Sequence, residues 1–125
     1  MIVAVGVDSI AIQRIDDLWQ RAGERFLARV FTTNERSYCL SKHRPAESFA
    51  ARFCAKEAVM KCLGTGWSEG IGFRQIEVVR DPHGAVAVRL HDTARELATR
   101  RGILVIHLSL THTGDQATAF AIAER

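Results

Sequence analysis

The chain has 125 residues, 47% of them hydrophobic, which is enough to bury one core and too little for two, so a single domain over residues 1–125 is expected. Seventeen Lys and Arg against fourteen Asp and Glu leave a net charge of +3, a mild bias toward an acidic or phosphorylated partner; no basic run or aromatic-interleaved RNA motif speaks for nucleic acid. Cys39, Cys54 and Cys62 are odd in number and lack zinc-like spacing, which argues against a disulfide framework and points to the reducing cytoplasm.

The start, MIVAVGVDSI, is apolar but interrupted by Asp8, lacks a basic leader and falls well short of the roughly 20 residues of a membrane span. No membrane association is expected. Ile2 to Val7 reads as a strand buried on both faces, with Gly6 admitting a close neighbour and Asp8 at the strand end, where an Asp is ordinarily a turn or a helix cap. Ile15, Leu18 and Trp19 fall on one side of a helix over Gln13 to Ala22, stopped by Gly23, with Arg14, Arg21 and Arg25 as solvated charges. Thr32 and Glu35 have capping-box spacing for a short helix through about Ser41. Lys42, His43 and Arg44 then make an exposed basic loop before Pro45, whose missing N–H suits the first turn of the next helix.

That helix, Phe49 to Gly66, is the stretch around which the chain is organised. At about 100° per residue, Phe49, Phe53, Met60 and Leu63 form a large apolar stripe, and Ala50, Ala51, Cys54, Ala55, Ala58 and Cys62 form a small-residue stripe opposite. Arg52 and Lys56 are four apart, a like-charge pair that an anion between them would relieve; Glu57 and Lys61 have the spacing of an ordinary helix-surface salt bridge. Gly64 is placed as a left-handed stop, and Gly64, Thr65 and Gly66 have a second reading as a phosphate-holding nest.

Phe73 to Arg80 and Ala85 to Leu90 read as a hairpin around the DPHG turn. Asp92 or Thr93, with Glu96, caps a helix that Gly102 ends. Ile103 to Thr111 and Ala117 to Glu124 read as paired strands, joined by a His112 to Gln116 connection that presents polar groups at the sheet end. The fold class is therefore α+β, with the Phe49 to Leu63 helix against an antiparallel sheet containing Ile2 to Val7 and the C-terminal strands.

RFCAKEAVMKCLGTG resembles the central motif R-F-x-x-K-E-A-x-x-K-x-L-G-T-G of the holo-acyl-carrier-protein synthases, a family of 4′-phosphopantetheinyl transferases. GVD at Gly6 to Asp8, Arg14, FTTNE at Phe31 to Glu35 and LSLTHT at Leu108 to Thr113 fall in the family's order, so the resemblance spans essentially the whole chain. It departs from the common pattern at Cys54, Thr111 and Gln75, where alanine, serine and an acid are usual.

The resemblance implies transfer of 4′-phosphopantetheine from coenzyme A to a serine of an apo acyl carrier protein, with release of adenosine 3′,5′-bisphosphate. Asp8 and Glu57 would hold Mg2+, which suits one or two carboxylates plus substrate phosphates, and Lys61 would meet a pyrophosphate oxygen. Arg44, Arg52, Gly64, His112 and Thr113 would bind the nucleotide and its phosphates, and Arg14 and Arg21 would contact the acidic carrier protein. The base that takes the serine proton is metal-bound water or Glu57. A homotrimer with sites shared between subunits is also implied, to which the small-residue stripe is suited. The competing class is a non-enzymatic, small α+β module of ferredoxin-like type that binds a nucleotide for regulation or assembly, in which Asp8 is a cap and Glu57 a salt bridge.

Overall fold

The computed structural model describes residues 1–64 and 70–125. Strand β1 (Ile2–Ala11) leads into helices α1 (Ile12–Ala22), α2 (Glu24–Val30), α3 (Thr33–Leu40) and α4 (Pro45–Leu63). After a 3-10 turn at Phe73–Gln75 come β2 (Ile76–Arg80), β3 (Val86–Leu90), α5 (Asp92–Arg100), β4 (Val105–Thr113) and β5 (Gln116–Glu124). β1, β5 and β4 form one antiparallel sheet in that order, and β2 and β3 a separate antiparallel pair. The α+β expectation is met.

Alternation along β5 explains how α4 seats on the sheet. Ala117, Ala119, Ala121 and Ala123 share one face and are all buried, and the small side chains of α4 let the helix backbone come close to them. Cys54 and Cys62 donate to the β5 carbonyls of Ala117 and Ala121 at 3.4 and 3.5 Å. Over β1 the approach is tighter still, since a Cβ on Gly6 would run into the carbonyl oxygen of Ala58. The small-residue stripe, read from the sequence as suited to packing between subunits, is thus buried within the chain. The large stripe meets the helices: Phe49 is fully buried, with ring centroids 5.2 Å from Trp19 and 4.7 Å from Phe31. Phe53 is only partly buried, 5.1 Å from Phe73.

Caps set the ends of these elements much as their sequences suggest. Thr32 and Glu35 form the capping box of α3, Pro45 occupies the first turn of α4, and Gly64 ends α4 with φ 70°. Thr65 and Gly66, the rest of the expected nest, lie outside the described residues. At α5 the expected T-x-x-E box does not form. His91 is the N-cap without a side-chain bond, Asp92 takes φ 52°, and the Ala94 amide is capped from a distance by the Gln75 side chain at 2.9 Å.

Three further differences from expectation have physical causes. β1 is buried on one face only: Val5 and Val7 on the other are more than half exposed, because a continuous β-branched run does not distinguish burial inside a chain from a face left for another molecule. His112 and Thr113 belong to β4 rather than to a loop, since pairing with Ala117 and Gln116 continues to a tight turn at Gly114 and Asp115. For Lys56 the relieving anion comes from the chain itself, because Lys56 is fully buried and pairs with Glu35 at 2.7 Å.

Candidate active site

The contact of Gly6 with Ala58 registers β1 against α4 and so brings two carboxylates together. Asp8 lies two residues beyond Gly6 on the same inward face, and Glu57 immediately precedes Ala58. Both line a cleft of about 210 Å³, with Arg14 and Phe53 also on its wall. Burial and the charge of Asp8 push the Glu57 carboxyl above the usual range, against the opposing pull of Lys61. Lys61 Nζ donates to the Val7 carbonyl at 2.7 Å and lies 3.4 Å from Asp8 Oδ1. Among the described residues Lys61 is therefore ion-paired with Asp8, in place of the expected surface bridge to Glu57.

Arg52 and His112 line a second cleft, of about 380 Å³, together with Tyr38, Lys42 and Arg80. Arg52 is buried, its Nε has no hydrogen-bond partner, and its guanidinium carbon lies 4.1 Å from the Tyr38 ring centroid. His112 Nδ1 is 3.8 Å from the Glu47 carboxylate in the first turn of α4. Arg44 and Thr113 are exposed at the start of α4 and the end of β4, and Arg21 is exposed in the last turn of α1.

Of the sequence-derived residues, Asp8, Glu57 and Arg14 line one cleft and Arg52 and His112 the other, while Arg21, Arg44, Lys61, Gly64 and Thr113 line neither. Arg52 and Glu57 are five residues apart on α4, about 140° around its axis, and no residue lines both clefts. Arg44 and Gly64 flank α4 at opposite ends, roughly 30 Å apart at the usual helical rise. Sequence reasoning left out Tyr38 and Arg80 and placed Lys42 in an exposed loop. The i,i+4 spacing of Tyr38 and Lys42 was the one local signal available; Arg80 joins them only through the tertiary fold. A larger cleft, about 480 Å³, lies between β3, α5 and β4 and includes none of the candidate residues.

A cysteine nucleophile is not offered by either cleft. The three cysteines are buried free thiols, and burial pushes Cys39 up to about 11 and, with the charge of Asp8, Cys54 up to about 12. The Asp8 and Glu57 oxygens suit a hard cation that retains other ligands. Among the described residues no group of three His, Cys, Asp or Glu that could hold a metal is present.

Residues 4–121 match the family described as the 4′-phosphopantetheinyl transferase superfamily. The holo-[acyl-carrier-protein] synthase of Desulforudis audaxviator is 47% identical over 123 residues, covering 98% of this chain and 93% of that protein. The crystal structure of the holo-[acyl-carrier-protein] synthase from Neisseria meningitidis superposes with a TM-score of 0.91 at 30% identity, covering 100% of both chains. The Helicobacter pylori synthase in complex with coenzyme A gives 0.85 at 26% identity, covering 97% of this chain and 100% of that one. With these matches spanning nearly the whole chain, both clefts included, the chain belongs to the holo-[acyl-carrier-protein] synthases, enzymes of the 4′-phosphopantetheinyl transferase superfamily.

Proposed function

We propose that this chain moves 4′-phosphopantetheine from coenzyme A onto a serine hydroxyl of an apo acyl carrier protein in a magnesium-dependent reaction. The serine oxygen forms a bond to the β-phosphorus, the bond from that phosphorus to the bridging oxygen breaks, and adenosine 3′,5′-bisphosphate leaves. The observation that carries this reading is the meeting of Asp8 and Glu57 at one cleft, with Lys61 paired to Asp8, in a chain related over its length to synthases of that name. Magnesium held by Asp8 and Glu57 would supply positive charge against the pyrophosphate. Lys61, tethered by the Val7 carbonyl and half exposed, offers its ammonium to a phosphate oxygen. Phe53 and Leu18 give the same cleft apolar walls, which strengthen these charge interactions by limiting water.

Two features support a homotrimer with shared sites. Two of the nucleotide candidates, Arg52 and His112, and the carboxylate pair occupy separate clefts of one chain, so a neighbour could complete each site. The outer face of the sheet exposes Val3, Val5, Val7 and Phe120, a contiguous apolar surface of the kind that association covers. Buried free thiols are in keeping with a cytoplasmic setting, and among the described residues no helix is long and apolar enough to cross a membrane.

The test is mass spectrometry of an apo carrier protein incubated with this chain, coenzyme A and magnesium. A gain of one phosphopantetheine is expected. No gain with either fatty-acid or polyketide carriers, from folded protein, would sink the reading in favour of a non-catalytic nucleotide-binding module.

A further inference from the structure

The cleft of about 480 Å³ between β3, α5 and β4 is lined by residues 87–90 of β3 and by Leu104, Val105 and Ile106 where β4 begins. A strand face contributes every second residue, so these unbroken runs mean that both strands present their edges. β4 ends the three-stranded sheet and β3 ends the two-stranded one, and among the described residues neither edge is paired with a further strand. The backbone groups of β4 and β3 that point away from β5 and β2 therefore face the cleft without ladder partners.

Open edges are ordinarily blunted by charge, proline or a bulge. β4 begins with none of these, since Ile103 to Ile106 is an uninterrupted apolar run whose pairing with β5 is regular from Val105 onward. Leu104 stands 83% exposed on the rim, while Ala98 and Ile103 are buried at the floor. The charge on the cleft is of one sign: Arg89 and Arg95 line it, and no Asp or Glu does. Glu77 comes only within 4.0 Å of Arg89, and its oxygens are already hydrogen-bonded to Thr32 and His91.

We propose that this cleft receives an extended acidic segment of another protein, which adds to the free edge of β4 as a further strand. Backbone pairing with residues 104–106 supplies affinity, apolar side chains of the segment cover Ala98 and Ile103, and its carboxylates answer Arg89 on one wall and Arg95 on the other. Charge selects against a second copy of this chain as the occupant. Its own open edge strands, β1 and β2, carry one carboxylate each; Asp8 lies in the cleft of Glu57, and Glu77 is buried. The docking cleft shares no residue with the clefts of Asp8 and Arg52, so occupancy needs neither coenzyme A nor transfer.

The experiment uses the full chain and a blocked peptide alternating glutamate and valine over about seven residues, within the usual length of a strand. Titration reads the binding, and amide hydrogen exchange reads its place. The peptide is expected to bind and to slow exchange at residues 87–90 and 104–106. A peptide with lysine in place of glutamate should not bind, and one with proline at its centre should lose binding, because proline cannot donate to the ladder. Arg89→Gln and Arg95→Gln should each weaken binding about tenfold, the loss of one charge-assisted contact; Arg100→Gln, on the same helix but outside the cleft, should not. No binding to folded wild type, or slowed exchange elsewhere, overturns the site. Equal binding of the proline peptide would make it a pocket for an apolar anion and not a strand dock. A changed oligomeric state in either cleft variant would give the cleft to a second copy and overturn the proposal as well.

Discussion

Lys56 Nζ and Glu35 Oε1 meet at 2.7 Å with neither side chain reached by solvent. The ammonium also donates to the Phe73 and Ile76 carbonyls at 3.0 and 2.6 Å, and the carboxylate accepts the Thr32 and Val78 amides at 2.9 and 2.8 Å. One ion pair thus ties α3, α4, the 3-10 turn and β2. Removing either partner strands the other's charge, so Lys56→Met and Glu35→Leu should each cost about 3–5 kcal/mol in urea unfolding. A loss under about 1 kcal/mol would show that the knot contributes little.

Gly6→Ala tests the contact that registers the carboxylates. Its methyl group would strike the backbone oxygen of Ala58, which cannot turn aside as a side chain could, so a cost of about 3 kcal/mol or more is expected. Lifting α4 would also separate Asp8 from Glu57, and turnover should fall further than the unfolded fraction explains. Gly72→Ala is the control, since a Cβ there meets nothing within 4 Å. Equal behaviour of the two variants in denaturation would remove the close approach as the organising contact.

How much of this was legible beforehand depends on the range of the interaction. The helix ends at Gly23 and Gly64, the α3 capping box and the DPHG turn are local devices, and they form as their sequences suggest. Where a distant residue supplied the partner, the local reading failed. Gln75 caps α5 in place of Thr93 and Glu96, and Glu35 answers Lys56 from another helix. Lys61 turns from the expected i,i+4 partner to Asp8 for the same reason. For the site, the motif resemblance supplied Asp8, Glu57 and Lys61, and the fold brought them together. Tyr38 and Arg80 had no such signal, because a ring that gathers cations from α4, β2 and the loop after α3 is a property of the folded chain alone.

Glu57→Gln should separate stability from function. Burial and the Asp8 charge raise the Glu57 pKa above its unfolded value, so the folded state holds the proton more tightly. Stability contributed by the protonated acid is therefore present below the unfolded pKa and lost as pH rises through the folded one. At neutral pH and without metal, the neutral glutamine relieves the repulsion, and Glu57→Gln should melt at or above the wild-type temperature while transfer is abolished. Added magnesium should raise the wild-type melting temperature and not that of the variant, since an ion stabilises only the fold that binds it. A variant with near wild-type turnover at limiting magnesium would defeat the metal assignment.

Carrier docking is the remaining prediction, and the structure sharpens it. Arg14 and Arg21 are two turns apart on α1, so they share one exposed face, and Arg14 stands on the wall of the carboxylate cleft. Two arginines, with Asp17 and Leu18 between them, then lead from the cleft along α1, where an acidic carrier would bring its serine toward Glu57. Exposed charges steer association and are screened over roughly 8–10 Å at physiological salt. Arg14→Glu and Arg21→Glu should therefore both raise KM for the carrier at low salt, and rising salt should narrow the gap to wild type. The two variants differ in one respect that follows from position. Arg14→Glu adds a third carboxylate to the cleft of Asp8 and Glu57 and should alter the magnesium requirement, whereas Arg21→Glu, about 10 Å further along the helix, should leave it unchanged. Carrier kinetics unaltered by both substitutions at low salt would place the docking surface elsewhere, and a loss of coenzyme A affinity in Arg21→Glu would reassign this face to the nucleotide.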